Sequence, residues 1–524
     1  MRSKGLISVA GPLLAALLAS GAVALRARVI APGGDESIVQ AIPDDAFYYL
    51  VLAKHFAASG AWTFDGVHPA TGFHVLWAYL LAAFYRVWPD ATLLRAFVFG
   101  SAVAGFCHGV AAFTVARKLS QVVPSLAAVS ATILVFCVGN IPATGAFCME
   151  TPLLLLVASL TCAALISDAP VTRSSAALLL ALGAIGSFCR TDYVVLPAAF
   201  AVAQALLVRP RSWRGMMSTR GAICLEGALV GLMLLAAHTY TISGAIVQAS
   251  ASTKMRWSSI LGHDIRPALS ALGRVLDAKL FPRSVMTGIV LAGVCAGLAF
   301  WLARKDRTRM QLAIAGTLAG VVYLFAYAHN SAATQPWYAS SFAVPVLMVL
   351  AVVLASVPRG SSVVFVAAIG VAGTSQLTRQ DHALWPHQRA PMLGGQVLGQ
   401  AQFPERTGAW NAGVLSYFSG GRIINLDGLV NDTVLEYARK NELLAYIARE
   451  NIERIADFGV MIDDRMARRL GGYDSPMADD CIAKVGQLDR KYELRWSDSE
   501  YGIYDVNLEC LKAALDATAL SSTK

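Results

Sequence analysis

Charge is scarce in this sequence: Asp, Glu, Lys and Arg make up only 15% of its 524 residues, whereas 56% are hydrophobic. Soluble globular chains carry roughly 25% charged residues. With a mean hydropathy of +0.55, the balance excludes an ordinary soluble enzyme and predicts a polytopic membrane protein. Other absences narrow the field. No Walker A motif occurs, which argues against an ATP-driven pump, and GAWNAG at 408–413 is not a GxGxxG, so no nucleotide is assigned to it. There is no CxxC and no Cys/His zinc spacing. Cys107, Cys137, Cys162, Cys189, Cys224 and Cys295 lie inside apolar segments, where a thiol packs as a small hydrophobe. No repeat of 20–50 residues is evident. The net charge of +9 comes from Lys and Arg in short runs between apolar segments, the pattern of topology determinants. No nucleic-acid partner is expected.

What is present is a series of span-length apolar segments. The first 25 residues combine a basic start with an apolar run longer than the ~7–15 residues of a signal-peptide core, and read as an uncleaved first span. Further segments fall at 93–115, 122–141, 151–167, 174–189, 192–208, 221–242, 284–303, 309–328, 336–356 and 361–376, which makes about eleven spans. The run 73–88 is ambiguous. If it lies in the interface, the short basic loops carrying Arg117 and Lys118, Arg173, Arg209 to Arg220, Arg304 to Arg309, and Arg359 all face the cytoplasm; if it crosses, all face outward, against the positive-inside rule. The expected protein is therefore a multi-pass membrane protein, with its N-terminus inside and its C-terminal part outside. A helical membrane module covers 1–376, with a first extracytoplasmic loop at 31–92. From 377 hydropathy drops, and short β-rich runs (422–425, 460–462, 492–496, 502–506) mixed with helical stretches (433–439, 442–450) predict an extracytoplasmic α/β domain over 377–524. Its two cysteines, Cys481 and Cys510, are expected to pair in an oxidising compartment.

The polar residues that this plan leaves over collect on the outer side. PDDAFYYLVLAKHFAASGAWTFDGVHPATGFHVLW at 43–77 is too aromatic for a solvent loop, and too charged for a span, where an ionised group costs at least ~2.5 kcal/mol. It carries Asp44 and Asp45, with Tyr48, His55 and His74 as candidate walls of a site. Either Asp could also cap the helix that follows, although no Glu or Gln stands three residues on to complete a capping box. Asp65, His68 and His74 read as turn chemistry rather than a metal set. Glu150, just before Pro152, is either a helix-start acid or a further carboxylate of the site. In the loop 243–283, Ser250, Lys254 and Arg256 are the residue types that hold a phosphate, or basic side chains snorkelling at the membrane edge. Arg190 lies in another outer turn. Trp337 and Tyr338 top a span as belt anchors or ligand contacts. Such a set suits transfer from a lipid-borne phosphate: Asp44 as general base on an acceptor hydroxyl, its neighbour Asp45 and Glu150 raising a carboxylate pKa by repulsion, and Lys254, Arg256 or Arg190 offsetting the leaving phosphate's charge. A transporter or flippase of a lipid-linked precursor is the alternative, but it calls for ionisable residues near mid-membrane, where these segments carry almost none. An envelope scaffold leaves the clustered acids unexplained.

PDDAFYYLVLAKHFAASGAWTFDG…ATGFHVLW, together with FCMETPL at 147–153, CRTD at 189–192, SASTK at 250–254 and WNAGVLSYFSGGRIINLDGLVND at 410–432, resembles the GT-C superfamily of integral membrane glycosyltransferases. The likeness is to a bacterial branch similar to the terminal arabinofuranosyltransferases and to relatives of the protein-mannosyl and aminoarabinose transferases. It implies inverting transfer of a sugar, such as the pentofuranose arabinofuranose, from a polyprenyl-phosphate donor to a glycan, lipid or protein acceptor. It further implies that the first acid of the loop, Asp44, is the base and that 73–88 is an interfacial helix. Ala70, Val75, Cys148 and Thr191 stand where the pattern has Asn, Pro, Gly and Pro. The superfamily has members with and without a divalent metal, so the metal is left open and no other cofactor is expected. Reporter fusions near Gln121 and Ser212 should report a cytoplasmic location; an outward location at either would overturn the topology.

Overall fold

A computed structural model describes all residues except 1, 138–139, 168, 209–211, 276–284, 331–333, 357–361, 364–365, 368–369, 371–382, 401–404, 494–497 and 523–524. Most of the expected span at 361–376 and the boundary at 377 lie outside the described residues.

The apolar segments fold as helices. Five stretches among the described residues are long and apolar enough to cross a membrane: Val9–Ala41, Leu93–Leu119, Arg220–Ser243, Arg307–His329 and Pro336–Leu354. Shorter apolar helices at Ser125–Cys137, Thr151–Leu165, Arg173–Cys189, Thr191–Leu207 and Gly293–Ala303 fall in the other predicted segments. Thr172 caps Arg173–Cys189 through a capping box, and the Asp306 carboxylate caps Arg307–His329. In both cases a side-chain acceptor satisfies N–H groups that the first turn leaves free.

The polar stretch is built on two helices. Asp44–Ser59 begins after an extended Pro43, has both acids in its first turn, where the helix dipole favours them, and stops at Gly60, whose φ of 76° is the left-handed end favoured by glycine. Residues 46–53 of this helix are all buried. A helix covered all round belongs inside a protein, and this one is held between the membrane helices and the C-terminal domain. The second helix, Val75–Val87, has 13 residues, about 20 Å at ~1.5 Å per residue, short of a ~30 Å hydrocarbon core. It packs along the first through rings: Phe56 stacks on Trp62 at 4.1 Å, and Tyr79 meets Trp62 edge-on at 5.0 Å.

The C-terminal part carries a five-stranded mixed sheet in the order Ile424–Asn425, Thr407–Ala409, Arg454–Phe458, Tyr501–Val506, Ile482–Gln487. The first three strands are parallel and the last two pairings antiparallel. Cys481 and Cys510 form a disulfide. The expected strand at 460–462 is instead a helix, Val460–Asp463, and the strand lies just before it, at Arg454–Phe458. A short apolar run has no period with which to tell the two apart.

The domain is joined to the polar stretch by hydrogen bonds. Asp432 accepts from Thr71 N–H and Thr71 Oγ1, both at 2.7 Å, and its own N–H donates to Pro69 at 3.0 Å. Thr253 Oγ1 donates to Gly428 at 2.9 Å, and Ala249 N–H to Thr71 Oγ1 at 3.0 Å. Gly72 sits at this seam, where a Cβ would lie 1.5 Å from the Leu429 carbonyl oxygen. Gly72→Ala should therefore cost ~1–3 kcal/mol through overpacking, seen as a lowered melting temperature of the purified protein; an unchanged melting temperature would contradict the tight seam.

Candidate active site

Seven separate stretches close one narrow pocket. Asp45, Tyr48 and Tyr49 come from the first polar helix; Gly72, Phe73 and His74 from the turn after it; Met149 and Glu150 from the turn before Thr151–Leu165. Arg190, Ser250, Lys254, Trp337, Tyr338 and Leu429 complete the lining, around about 30 Å³ of free space, room for one or two waters.

Glu150 is the N-cap residue of its helix but makes no side-chain cap. Its carboxylate, 1% exposed, instead accepts from Tyr49 Oη at 3.1 Å and Arg190 Nη1 at 3.3 Å, with His74 Nε2 at 3.6 Å. Arg190 also donates Nε and Nη2 to Asp192 at 3.1 and 2.9 Å. Asp192 in turn accepts from Tyr327 Oη, and from Ser341 Oγ at 3.2 Å. The guanidinium is thereby clamped, with its Cζ 4.7 Å from the centre of the Tyr338 ring. Burial opposes its charge, but Asp192, Tyr327 and Glu150 outweigh burial and hold it protonated. Burial pushes His74 down to about 4, so the ring is neutral at pH 7.

Lys254 Nζ donates to Tyr338 Oη at 3.3 Å. Burial works against its charge, yet Tyr338 and Asp45 raise its pKa. Ser250 shares its helix, Ala249–Leu261, at i,i+4 spacing, which sets both side chains on one face.

The acid pair divides differently from the expectation. Asp44 turns away from the pocket, and its carboxylate accepts Val414 N–H at 2.7 Å and Gly413 N–H at 3.2 Å, at the start of the helix Gly413–Phe418. Asp45 lines the pocket, and among the described residues its carboxylate accepts no hydrogen bond. Burial raises its pKa against the attraction of Lys254, and Glu150 adds to the rise. One residue is a ~100° step around a helix, enough to point two neighbouring acids at different partners.

Tyr48, His74, Glu150, Arg190, Ser250, Lys254, Trp337 and Tyr338 thus share the pocket with Asp45. Arg256 and His55 do not. Arg256 is two residues beyond Lys254 and so on the opposite helix face, where it donates to the carbonyls of Leu470 at 2.5 Å and Arg469 at 3.0 Å. His55 lies seven residues beyond Tyr48, ~10 Å along the helix, with Nδ1 on the Thr63 carbonyl at 3.0 Å. Sequence reasoning assigned no role to Tyr49, Asp192 or Asp427; the last is pushed up to about 8 by burial and accepts from Tyr48 Oη at 3.3 Å. The spacing of Asp192, two residues after Arg190, was the available signal for that one.

The residues do not make a calcium or magnesium site. Such ions take six or more oxygen ligands, whereas among the described residues no three His, Cys, Asp or Glu side chains converge, and Lys254 and Arg190 already place two cations against the carboxylates. Asp65 is occupied in its own turn, accepting from Val67 N–H, His68 N–H and His68 Nδ1.

Residues 385–507 match the model of a domain of unknown function, DUF8728. No curated protein sequence matches the chain. Among solved structures, ArnT from Cupriavidus metallidurans in the apo state is similar at 11% identity, over 97% of this chain and 99% of that one, with a TM-score of 0.51. The archaeal oligosaccharyltransferase AglB from Archaeoglobus fulgidus, in complex with an inhibitory peptide and a dolichol-phosphate, is similar at 12% identity over 95% and 74%, with a TM-score of 0.52. At these identities the likeness is one of fold.

Burial, opposed by the Val414 N–H and reinforced by Asp45, raises the Asp44 pKa from 3.8 to about 7. A raised folded-state pKa contributes stability below the unfolded value that is lost as pH rises through the folded one. The stability of the protein relative to Asp44→Asn should therefore fall between pH 4 and 8 in thermal unfolding; a pH-independent difference would place the Asp44 carboxyl in water.

Proposed function

We propose that this membrane protein, whose fold is that of the GT-C superfamily, transfers a sugar from a polyprenyl-phosphate donor to an acceptor hydroxyl at the outer face of a bacterial cytoplasmic membrane. The observation that carries the reading is the Asp45 carboxylate: partly buried, without a hydrogen bond among the described residues, and sharing a pocket with Lys254, Arg190 and Ser250. A carboxylate with free lone pairs and a raised pKa is suited to take a proton, and clustered cations with a hydroxyl are suited to a phosphate. The dolichol-phosphate in the AglB complex supports a lipid phosphate as the ligand of this fold.

In the reaction, the acceptor oxygen attacks the anomeric carbon while Asp45 takes its proton. The bond from that carbon to the phosphate oxygen breaks, and the electron pair leaves with the phosphate. Lys254 and Arg190 meet the charge gained there, and Ser250 donates a hydrogen bond. A single displacement inverts the anomeric centre. Asp44, on this reading, holds the C-terminal domain in place rather than moving a proton. A sugar phosphate exceeds the free space of the pocket, so donor binding displaces some of the side chains that line it.

The finer assignments rest on the sequence. The motif resemblance makes arabinofuranose the first sugar to test and a glycan, lipid or protein the acceptor. Hydropathy and the basic loops support about eleven spans with the N-terminus inside, and a domain division near 377. Asp45→Asn should lower turnover by ~10²–10⁴-fold with polyprenyl-phosphate binding retained, while Asp44→Asn keeps most of its turnover per folded molecule. Full activity in Asp45→Asn would end the base assignment.

A further inference from the structure

A second cavity lies two helical turns from the pocket, on another face of the same helix. It encloses about 480 Å³, bordered by Lys54, His55, Tyr85, Arg86, Tyr417 and Gly421 among others. That is well within the ~300–1,000 Å³ of small-molecule sites and far more than a bare anion fills. Its walls come from both polar helices and from the C-terminal domain.

Lys54 has no carboxylate partner among the described residues. Its Nζ stands 4.1 Å from the centre of the Tyr417 ring and 5.3 Å from that of Tyr85, a cation held by ring faces alone. Arg86 is steadied by donating Nη1 to the Ala57 carbonyl at 2.9 Å, and among the described residues the rest of its fork has no partner. His55 donates Nδ1–H to Thr63, and in that tautomer Nε2 is left as an acceptor for a hydroxyl. Opposite it, Gly421 has a φ of +80°, and a Cβ there would come within 2.6 Å of His55 Nε2. The backbone thus keeps this corner open where any side chain would close it.

We propose that this cavity binds an acidic saccharide, a sugar segment bearing a carboxylate or phosphate, with Lys54 and Arg86 on the anion and His55 on a hydroxyl. This rests on the transferase reading insofar as the segment would belong to the acceptor; binding itself requires no transfer. Unpaired cations select an anion, the volume selects something larger than phosphate, and the acceptor nitrogen selects a hydroxylated ligand over a hydrocarbon chain.

The test is equilibrium binding to the full-length protein in phosphatidylcholine nanodiscs, with a glucuronate-containing tetrasaccharide, its carboxyl-reduced counterpart and inorganic phosphate as probes. The acidic tetrasaccharide should bind at least tenfold more tightly than the reduced one. Lys54→Met should abolish that preference, Lys54→Arg should retain it, and Asp45→Asn should leave it unchanged. Equal binding of the charged and neutral tetrasaccharides, or an unaltered preference in Lys54→Met, would overturn the proposal. So would inorganic phosphate competing at equal concentration, which marks a bare-anion site, or displacement in phosphatidylglycerol nanodiscs, which marks a lipid-headgroup site. Because turnover is not measured, loss of this binding leaves the role of Asp45 untouched, and loss of that role leaves this binding untouched.

Discussion

Charge compensation in a desolvated space is the constraint on which this structure depends. Glu150 is almost fully buried and Asp45 partly so, and neither is tolerable out of water without cations opposite. Arg190 and Lys254 supply them. Removing one partner of a buried pair typically costs ~3–5 kcal/mol, because the other is left uncompensated. Arg190 meets Glu150 on one side and is held on the other by Asp192, which Tyr327 and Ser341 fix in turn. The surplus within the balance is Asp45: it contributes charge but accepts no hydrogen bond among the described residues. A carboxyl whose pKa is raised by burial and whose oxygens are not consumed by its neighbours is available for chemistry.

That balance needs the C-terminal domain as much as the membrane helices. Leu429 closes the pocket, Asp427 meets Tyr48, and Gly413 and Val414 bind Asp44, so the helix that presents Asp45 is clasped from the domain side. Asp432 and Thr71 fix the turn that carries His74. The pocket therefore does not exist in either half alone. The same clasp forms the second cavity, where Tyr417 and Gly421 face Lys54 and His55 across the seam.

Much of this was legible in the sequence, because hydropathy and charge act locally. Apolar runs of the right length became helices, and the stretch too polar for a span and too aromatic for solvent became a buried helix pair. The stretches that contribute the pocket were each marked by residues with no reason to sit in an apolar chain. Less legible were matters of direction. Asp44 and Asp45 differ by one step around a helix, and what separates them is a pair of backbone N–H groups some 370 residues away. Lys254 and Arg256 differ by two steps and end on opposite faces. The clamp on Arg190 draws on Tyr327 and Ser341, which in sequence look like ordinary span residues. The strand Arg454–Phe458 and the helix Val460–Asp463 share one apolar run that no periodicity divides.

The central claim is that a lipid phosphate is held by Lys254, Arg190 and Ser250 with Asp45 on the far side of the departing bond. A structure of the protein with polyprenyl monophosphate bound tests it most directly. The phosphate should lie within hydrogen-bond reach of Lys254 Nζ and Arg190, with the Asp45 carboxylate across the pocket and unbonded to the lipid. A phosphate located away from these residues, or a polyprenyl chain leading to a different part of the molecule, would contradict the account.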